Sequence, residues 1–301
     1  MEITGDLFSK ATVTRRFVMS TTPQKPSIVI RDIERISEMQ ALAAIEKEVW
    51  GLEDRDLTPL STLIATKEVG AILIGAFDGD ALVGFVYGFV GYENESLVIH
   101  SHMLAVRPAY RNFNLGYKLK LAQRECALAK GIGRITWTFD PLQSLNAHFN
   151  FGKLGAVSDV YKVNFYGAET SSFLHRLGTD RLWVSWLLDS QRVERRLRQA
   201  SKSMDLPDNL ESVAPLTQLG ADGAPQRGAL AKGLGQSYAL IEIPADINAL
   251  QRENLELAVE WREATRWAFA EAMASGYLVT DFYQISRRDQ RLGVYLLNSK
   301  N

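Results

Sequence analysis

Three apolar runs, Ala71–Phe77, Leu82–Val90 and Leu97–Val106, stand almost end to end and constrain this chain more than any other feature. Runs so short and so close read as strands, and Asp78-Gly79-Asp80 between the first two is a hairpin signal. A segment from about Asn114 to Lys130 follows, with Leu115, Leu119, Ala122, Cys126 and Ala129 at helical spacing. Gly131 and Gly133 stop it, and Arg134–Phe139 is the next strand. Upstream, Ile28–Asp32 reads as a strand, Ile33–Trp50 as an amphipathic helix carrying Ile36, Met39, Leu42, Ala43 and Ile45, and Pro59–Lys67 as a shorter helix. Downstream, Ser144–Leu154 is a helix ended by Gly155, and Val157–Val163 and Leu182–Leu188 complete a mixed α/β (α+β) unit, a mixed sheet flanked by helices.

At about 150 residues per domain, 301 residues predict two parts. We expect a disordered tail over 1–26, with Met19 as an alternative start to Met1, and the α/β unit over 27–200. A linker or excursion over 201–235 contains Pro207, Pro215 and Pro225 and little periodicity. Over 236–301 the expectation is a β-α-β-β subdomain: strand Tyr238–Ile243, a long helix from about Asp246 to Ser275, and strands Tyr277–Ile285 and Leu292–Leu297. So small a piece needs to pack on the first. The apolar fraction of 46% excludes wholesale disorder. Lys plus Arg total 34 against 35 Asp plus Glu, a balance that offers no global field to nucleic acid or an anionic membrane. The basic cluster Arg192, Arg195, Arg196, Arg198 and Lys202 reads as a solvated helix face, so no nucleic-acid partner is expected. The single cysteine, Cys126, excludes an internal disulfide, and no run of about 18 apolar residues is present to span a membrane. The expectation is a soluble, cytoplasmic protein.

Chemistry concentrates between His100 and Tyr117, where a strand ends at Val106, a short basic loop follows and a helix begins. Backbone N–H groups at such a junction, with the positive end of the helix dipole behind them, form an anion site. Lys118 and Lys120 in the first turns would oppose the dipole unless an anion is bound; a plain loop with surface lysines is the alternative. Leu104-Ala105-Val106 followed by Arg111-Asn112-Phe113-Asn114-Leu115-Gly116 resembles the signature of the GNAT acyltransferase superfamily, with Asn114 in place of its first glycine. Asparagine tolerates the left-handed conformation that such a loop requires. The resemblance covers roughly 27–190 and includes Lys153-Leu154-Gly155. Asn146–Asn150, Tyr161-x-x-Asn-x-Tyr-Gly167 and Trp261–Arg266 look like a bacterial branch of that superfamily. It implies a mixed GNAT sheet and an acyl-CoA co-substrate (acetyl-CoA, or another such as succinyl-CoA). Arg111, Asn112, Phe113, Asn114, Leu115, Gly116 and Tyr117 would hold the pyrophosphate, and Leu104, Ala105 and Val106 the pantetheine arm.

His100 and His102 lie two apart on one strand and so share a face. With an ordinary pKa of about 6.5, either suits removal of a proton from an attacking amine; half-buried histidines satisfied by backbone are the alternative. The same His-x-His before Leu-Ala-Val resembles arylalkylamine N-acetyltransferases. No further ligand cluster accompanies the pair, so no metal is expected. Where the superfamily carries an acidic tyrosine this chain has Phe151, leaving Tyr161, Tyr166 or water for that step. Asn146 and Asn150, on one helix face, could bond the pantetheine amides or face solvent, and Cys126 belongs to an apolar stripe. Leu255, Val259, Arg262, Arg266, Phe269 and Met273 form one helical stripe. Its two arginines either pair internally or fork onto a substrate carboxylate, as Tyr166 could also contact substrate. The resulting expectation is an N-acyltransferase acting on a small-molecule primary amine such as an amino acid, with a homodimer open. The alternative is a non-catalytic CoA-binding module.

Overall fold

A computed structural model describes residues 26–167, 170–172, 175–199, 213–234, 236–287 and 290–300. The expected tail, the choice of start and most of the first half of the expected linker, with Lys202, lie outside these residues.

The chain opens with β1 (Ile28–Asp32), α1 (Ile36–Trp50) and α2 (Leu60–Glu68), then the meander β2 (Ile72–Asp78), β3 (Ala81–Glu93) and β4 (Ser96–Val106). The tight turns are made by residues that accept positive φ: Gly79 at 59° between β2 and β3, and Asn94 and Glu95 at 49° and 60° between β3 and β4. Helix α3 (Leu115–Ala129) carries the chain across the sheet to β5 (Arg134–Phe139), parallel to β4. Then come α4 (Ser144–Ala147), β6 (Val157–Lys162), β7 (Arg181–Leu187) and α5 (Gln191–Gln199). The expected single helix to Leu154 is instead one α-turn followed by a π-turn over His148–Lys153.

The region expected as linker carries two short strands, β8 (Thr217–Leu219) and β9 (Pro225–Arg227), and α6 (Leu230–Gly233). The last third is β10 (Tyr238–Pro244), α7 (Ile247–Glu253), α8 (Leu255–Ala274), β11 (Tyr277–Arg287) and β12 (Gln290–Ser299). The expected long helix divides at Asn254, whose extended backbone (φ −150°) and side-chain carbonyl cap α8 through the Leu257 N–H. Strand order is β1-β2-β3-β4-β5-β7-β6-β11-β12-β10-β8-β9. The two halves of the sheet join where Val279 lies opposite Ser158.

One apolar cluster runs from Leu119 and Phe139 through Phe151 to Trp261, Phe269 and Tyr295. Phe151 packs on Phe139 and on Tyr295, each at 5.9 Å between ring centroids, so it joins β5 to the C-terminal strand β12. A second cluster beneath α1 holds Leu42, Phe85, Met103 and Ala105. Gly88 lets α3 approach the sheet, since a Cβ there would sit 2.8 Å from Gln123 Nε2 and 3.0 Å from the His100 carbonyl oxygen. No helix among the described residues is long and apolar enough to cross a membrane. Phe151→Ala should cost about 3–5 kcal/mol of stability, measured by chemical denaturation, because it empties a fully buried site between two rigid halves.

Candidate active site

Strands β4 and β5 meet at only two registers, Ile99 opposite Ile135 and His100 opposite Thr136. Beyond these they part, so one backbone edge of Ser101–Val106 has no ladder partner among the described residues. On the other edge the pairing with β3 slips: Tyr87 faces Met103 while Gly88 faces Ser101, leaving His102 as the extra residue of a bulge. The bulge resets the alternation of side chains. Ser101 meets Lys120 of α3, and Leu104 belongs to the α3 side of the core, whereas Met103 and Ala105 pack under α1.

The parted strands open a cavity of about 330 Å³. His102 lines it and is partly open to solvent; burial beside Tyr87 and Phe89 lowers its pKa. His100 shares that face, 6.4 Å away between ring centroids, but is not part of the cavity wall. Its ring stacks on Trp183 at 5.0 Å and its Nδ1 lies 3.2 Å from Thr136 Oγ1. Burial, helped by His102 and Lys120, takes the His100 pKa down to about 4, so its imidazole is neutral near pH 7.

The loop after β4 is a 3-10 turn over Pro108–Phe113, and Asn114 takes the left-handed conformation (φ 57°) without capping α3. The N–H groups of Leu115, Gly116 and Tyr117 therefore begin a helix with no carbonyl before them, beside exposed Arg111 and Asn112. Lys118 is exposed there, but Lys120 is not: its side chain turns inward, which corrects the expectation that both face the anion site. Asn146 and Asn150 both border the cavity, as does Leu104.

Lys120 is a functional candidate that sequence reasoning placed wrongly. Its Nζ donates to Ser101 Oγ (2.8 Å) and Gln123 Oε1 (3.2 Å) and stands 3.9 Å above the Trp137 ring. No carboxylate pairs with it among the described residues, and burial pushes its pKa down to about 7. Glu46 was missed altogether. It is buried on the cavity wall, takes the Thr58 N–H at 3.0 Å through Oε2, and leaves Oε1 without a partner, so burial raises its pKa. The available signal was its place on the stripe of Met39 and Leu42, at steps of three and four.

The arginines of α8 are taken by aspartates. Arg262 donates to Asp140 at 2.7 Å and to the Leu177 carbonyl at 3.1 Å, and Arg266 grips both oxygens of Asp180 at 2.8 and 3.0 Å. Neither lines the cavity, so the internal-pair alternative holds. Phe151 is wholly buried. Tyr161 donates to Asp180 at 2.7 Å, stacks on Phe269 and has its pKa raised by burial and by Asp180, which removes it as an acid at the site. Tyr166 does border the cavity, with its hydroxyl 3.2 Å from Thr138 Oγ1. Cys126 is half-buried against the core.

Residues 36–155 match the family model described as acetyltransferase (GNAT) family. No curated protein matches the sequence. Among solved structures, the ribosomal-protein-S18-alanine N-acetyltransferase of Escherichia coli is similar at 13% identity and a TM-score of 0.43, over 54% of this chain and 95% of that one. Aminoglycoside 6'-acetyltransferase type Ii is similar at 18% identity and 0.43, over 54% and 99%. The PaiA N-acetyltransferase of Thermoplasma acidophilum, in complex with coenzyme A, is similar at 17% and 0.37, over 53% and 98%. Arg262→Met should leave Asp140 buried without its counter-charge and cost about 3–5 kcal/mol, read as a lower urea midpoint.

Proposed function

From the premise that this chain belongs to the GNAT acetyltransferase family through residues 36–155, we propose that it is a cytoplasmic N-acyltransferase. It moves an acetyl or succinyl group from coenzyme A to the primary amine of a small molecule such as an amino acid, by direct attack in a ternary complex. One observation carries the reading: β4 and β5 part directly beside an uncapped helix start. The free edge of Ser101–Val106 supports an extended amide-bearing arm as an added strand would be supported. The bare N–H groups at Leu115–Tyr117 and the side chain of Arg111 suit a pyrophosphate.

His102 takes the proton of the attacking amine as the new C–N bond forms. Backbone N–H groups near Leu104 receive the developing oxyanion. As the C–S bond breaks, Lys120 returns a proton to the sulfur by way of Ser101; an ammonium with a pKa of about 7 is acidic enough for a thiolate whose thiol titrates at about 8.5. Phe151, sealed in the core, favours a second reading in which coenzyme A binds without turnover. Thiol release with a panel of amines separates the two.

His102→Ala should lower kcat by about 10²–10⁴ with acetyl-CoA affinity unchanged in calorimetric titration, and His100→Ala should do less. Since Lys120 is needed protonated, wild-type kcat should fall as pH rises through about 7, and Lys120→Met should be slow with that limb gone. Asn114→Gly should keep coenzyme A affinity. Asn114→Val, forced into a left-handed backbone at a cost of about 1–3 kcal/mol, should weaken it in the same titration.

A further inference from the structure

Five charged side chains meet where β5, β7 and α8 converge, and one of them is left over. Arg262 is taken by Asp140, and Arg266 by Asp180. Asp140 also accepts the Leu142 N–H at 2.9 Å, and Asp180 also accepts the Asn164 N–H at 2.9 Å and the Tyr161 hydroxyl at 2.7 Å. The third arginine, Arg181, is 9% exposed and borders the cavity. Its hydrogen-bond partner is the His175 ring nitrogen Nε2, and its guanidinium lies 5.2 Å from the centre of the Tyr166 ring. Among the described residues no carboxylate pairs with it. The other acids of the cavity wall are not paired with it: Asp56 accepts the Ser171 N–H at 2.9 Å, and Glu46 accepts the Thr58 N–H through Oε2 and leaves Oε1 without a partner. His175 adds no negative charge, its pKa being held down to about 4 chiefly by burial.

A buried cation without a counter-ion is costly, and a fork-shaped donor beside an open cavity is matched by a carboxylate. We infer that Arg181, with Tyr166 and His175 around it, is the carboxylate-binding subsite of this cavity, so that the substrate pair includes an anionic carboxyl group. The carboxylate belongs either to the amine acceptor or to the far end of the acyl group. Tyr166, which lines the cavity, is backed by Phe165 and Trp183 in a run of rings that reaches His100 at separations of 4.8, 6.0 and 5.0 Å. The inference rests on the transfer reading of the cavity, but its test includes a binding readout that does not need turnover.

The wild-type protein and Arg181→Met are titrated calorimetrically with acetyl-CoA and succinyl-CoA, then, with acetyl-CoA present, with phenylalanine and phenethylamine. The subsite predicts that wild type prefers one carboxylate-bearing partner at least tenfold and that Arg181→Met erases the preference while acetyl-CoA affinity stands. Preference for succinyl-CoA assigns the carboxylate to the acyl group, and preference for phenylalanine assigns it to the acceptor. Melting temperature supplies the control. A substrate anchor is an uncompensated charge in the free protein, so Arg181→Met should melt no lower than wild type. A lower melting temperature together with unchanged discrimination would make Arg181 a structural cation and overturn the inference, as would absence of any preference in wild type. Failure of both CoA thioesters to bind would instead remove the transfer reading itself.

Discussion

The proposed site depends on two parallel strands that stay together for two residues and then separate. A parallel pair inside a sheet ordinarily satisfies its backbone groups along its whole length. Here β4 and β5 do so only at Ile99–Ile135 and His100–Thr136, so a stretch of β4 is left with an unpaired edge at the centre of the protein. Such an edge calls for a partner, and an extended amide-bearing ligand is the natural one. The bulge at His102 contributes to the same place from the other side. By inserting one residue it leaves His102 and Met103 on the same side of the strand and returns Leu104 to the α3 side that Ser101 already faces.

The two walls of the cleft therefore differ chemically. On the α3 side, Lys120 is held by Ser101 and Gln123 above Trp137, buried and without a counter-charge among the described residues. On the α1 side, neutral histidine rings and aromatic faces give way to Arg181. A proton taken on one wall and one supplied on the other fit a reaction that makes a bond to nitrogen while breaking a bond to sulfur. The C-terminal third supports the site without entering it. Arg262 ties the end of β5 to α8 through Asp140, Arg266 ties Asp180 next to Arg181, and Tyr295 donates to the Pro141 carbonyl at 2.6 Å. Those contacts fix the backbone from which Arg181 and Tyr166 project.

Much of the first half was legible because local rules decide it. The hairpin at Asp78-Gly79, the helix after Asn114 and the strand after Gly133 follow from turn chemistry and periodicity. Asn114 in the left-handed region follows from what asparagine tolerates. The pairing of His100 and His102 on one face survived because both precede the point where the bulge resets the alternation.

Sequence by itself determined most strands and helices of the first half, the left-handed residue before α3 and the presence of two histidines on the critical strand, since each depends on neighbours within a few residues. Only the tertiary structure decided which charges are spent and which are free. Arg262, Arg266 and Arg181 are equivalent letters in the sequence, yet two meet aspartates far away in the chain and the third does not. Lys120 and Lys118, two residues apart on α3, were indistinguishable as surface cations until the sheet buried one beneath Ser101. Electrostatic pairing is set by distance in space, and local pattern along the chain carries no measure of it.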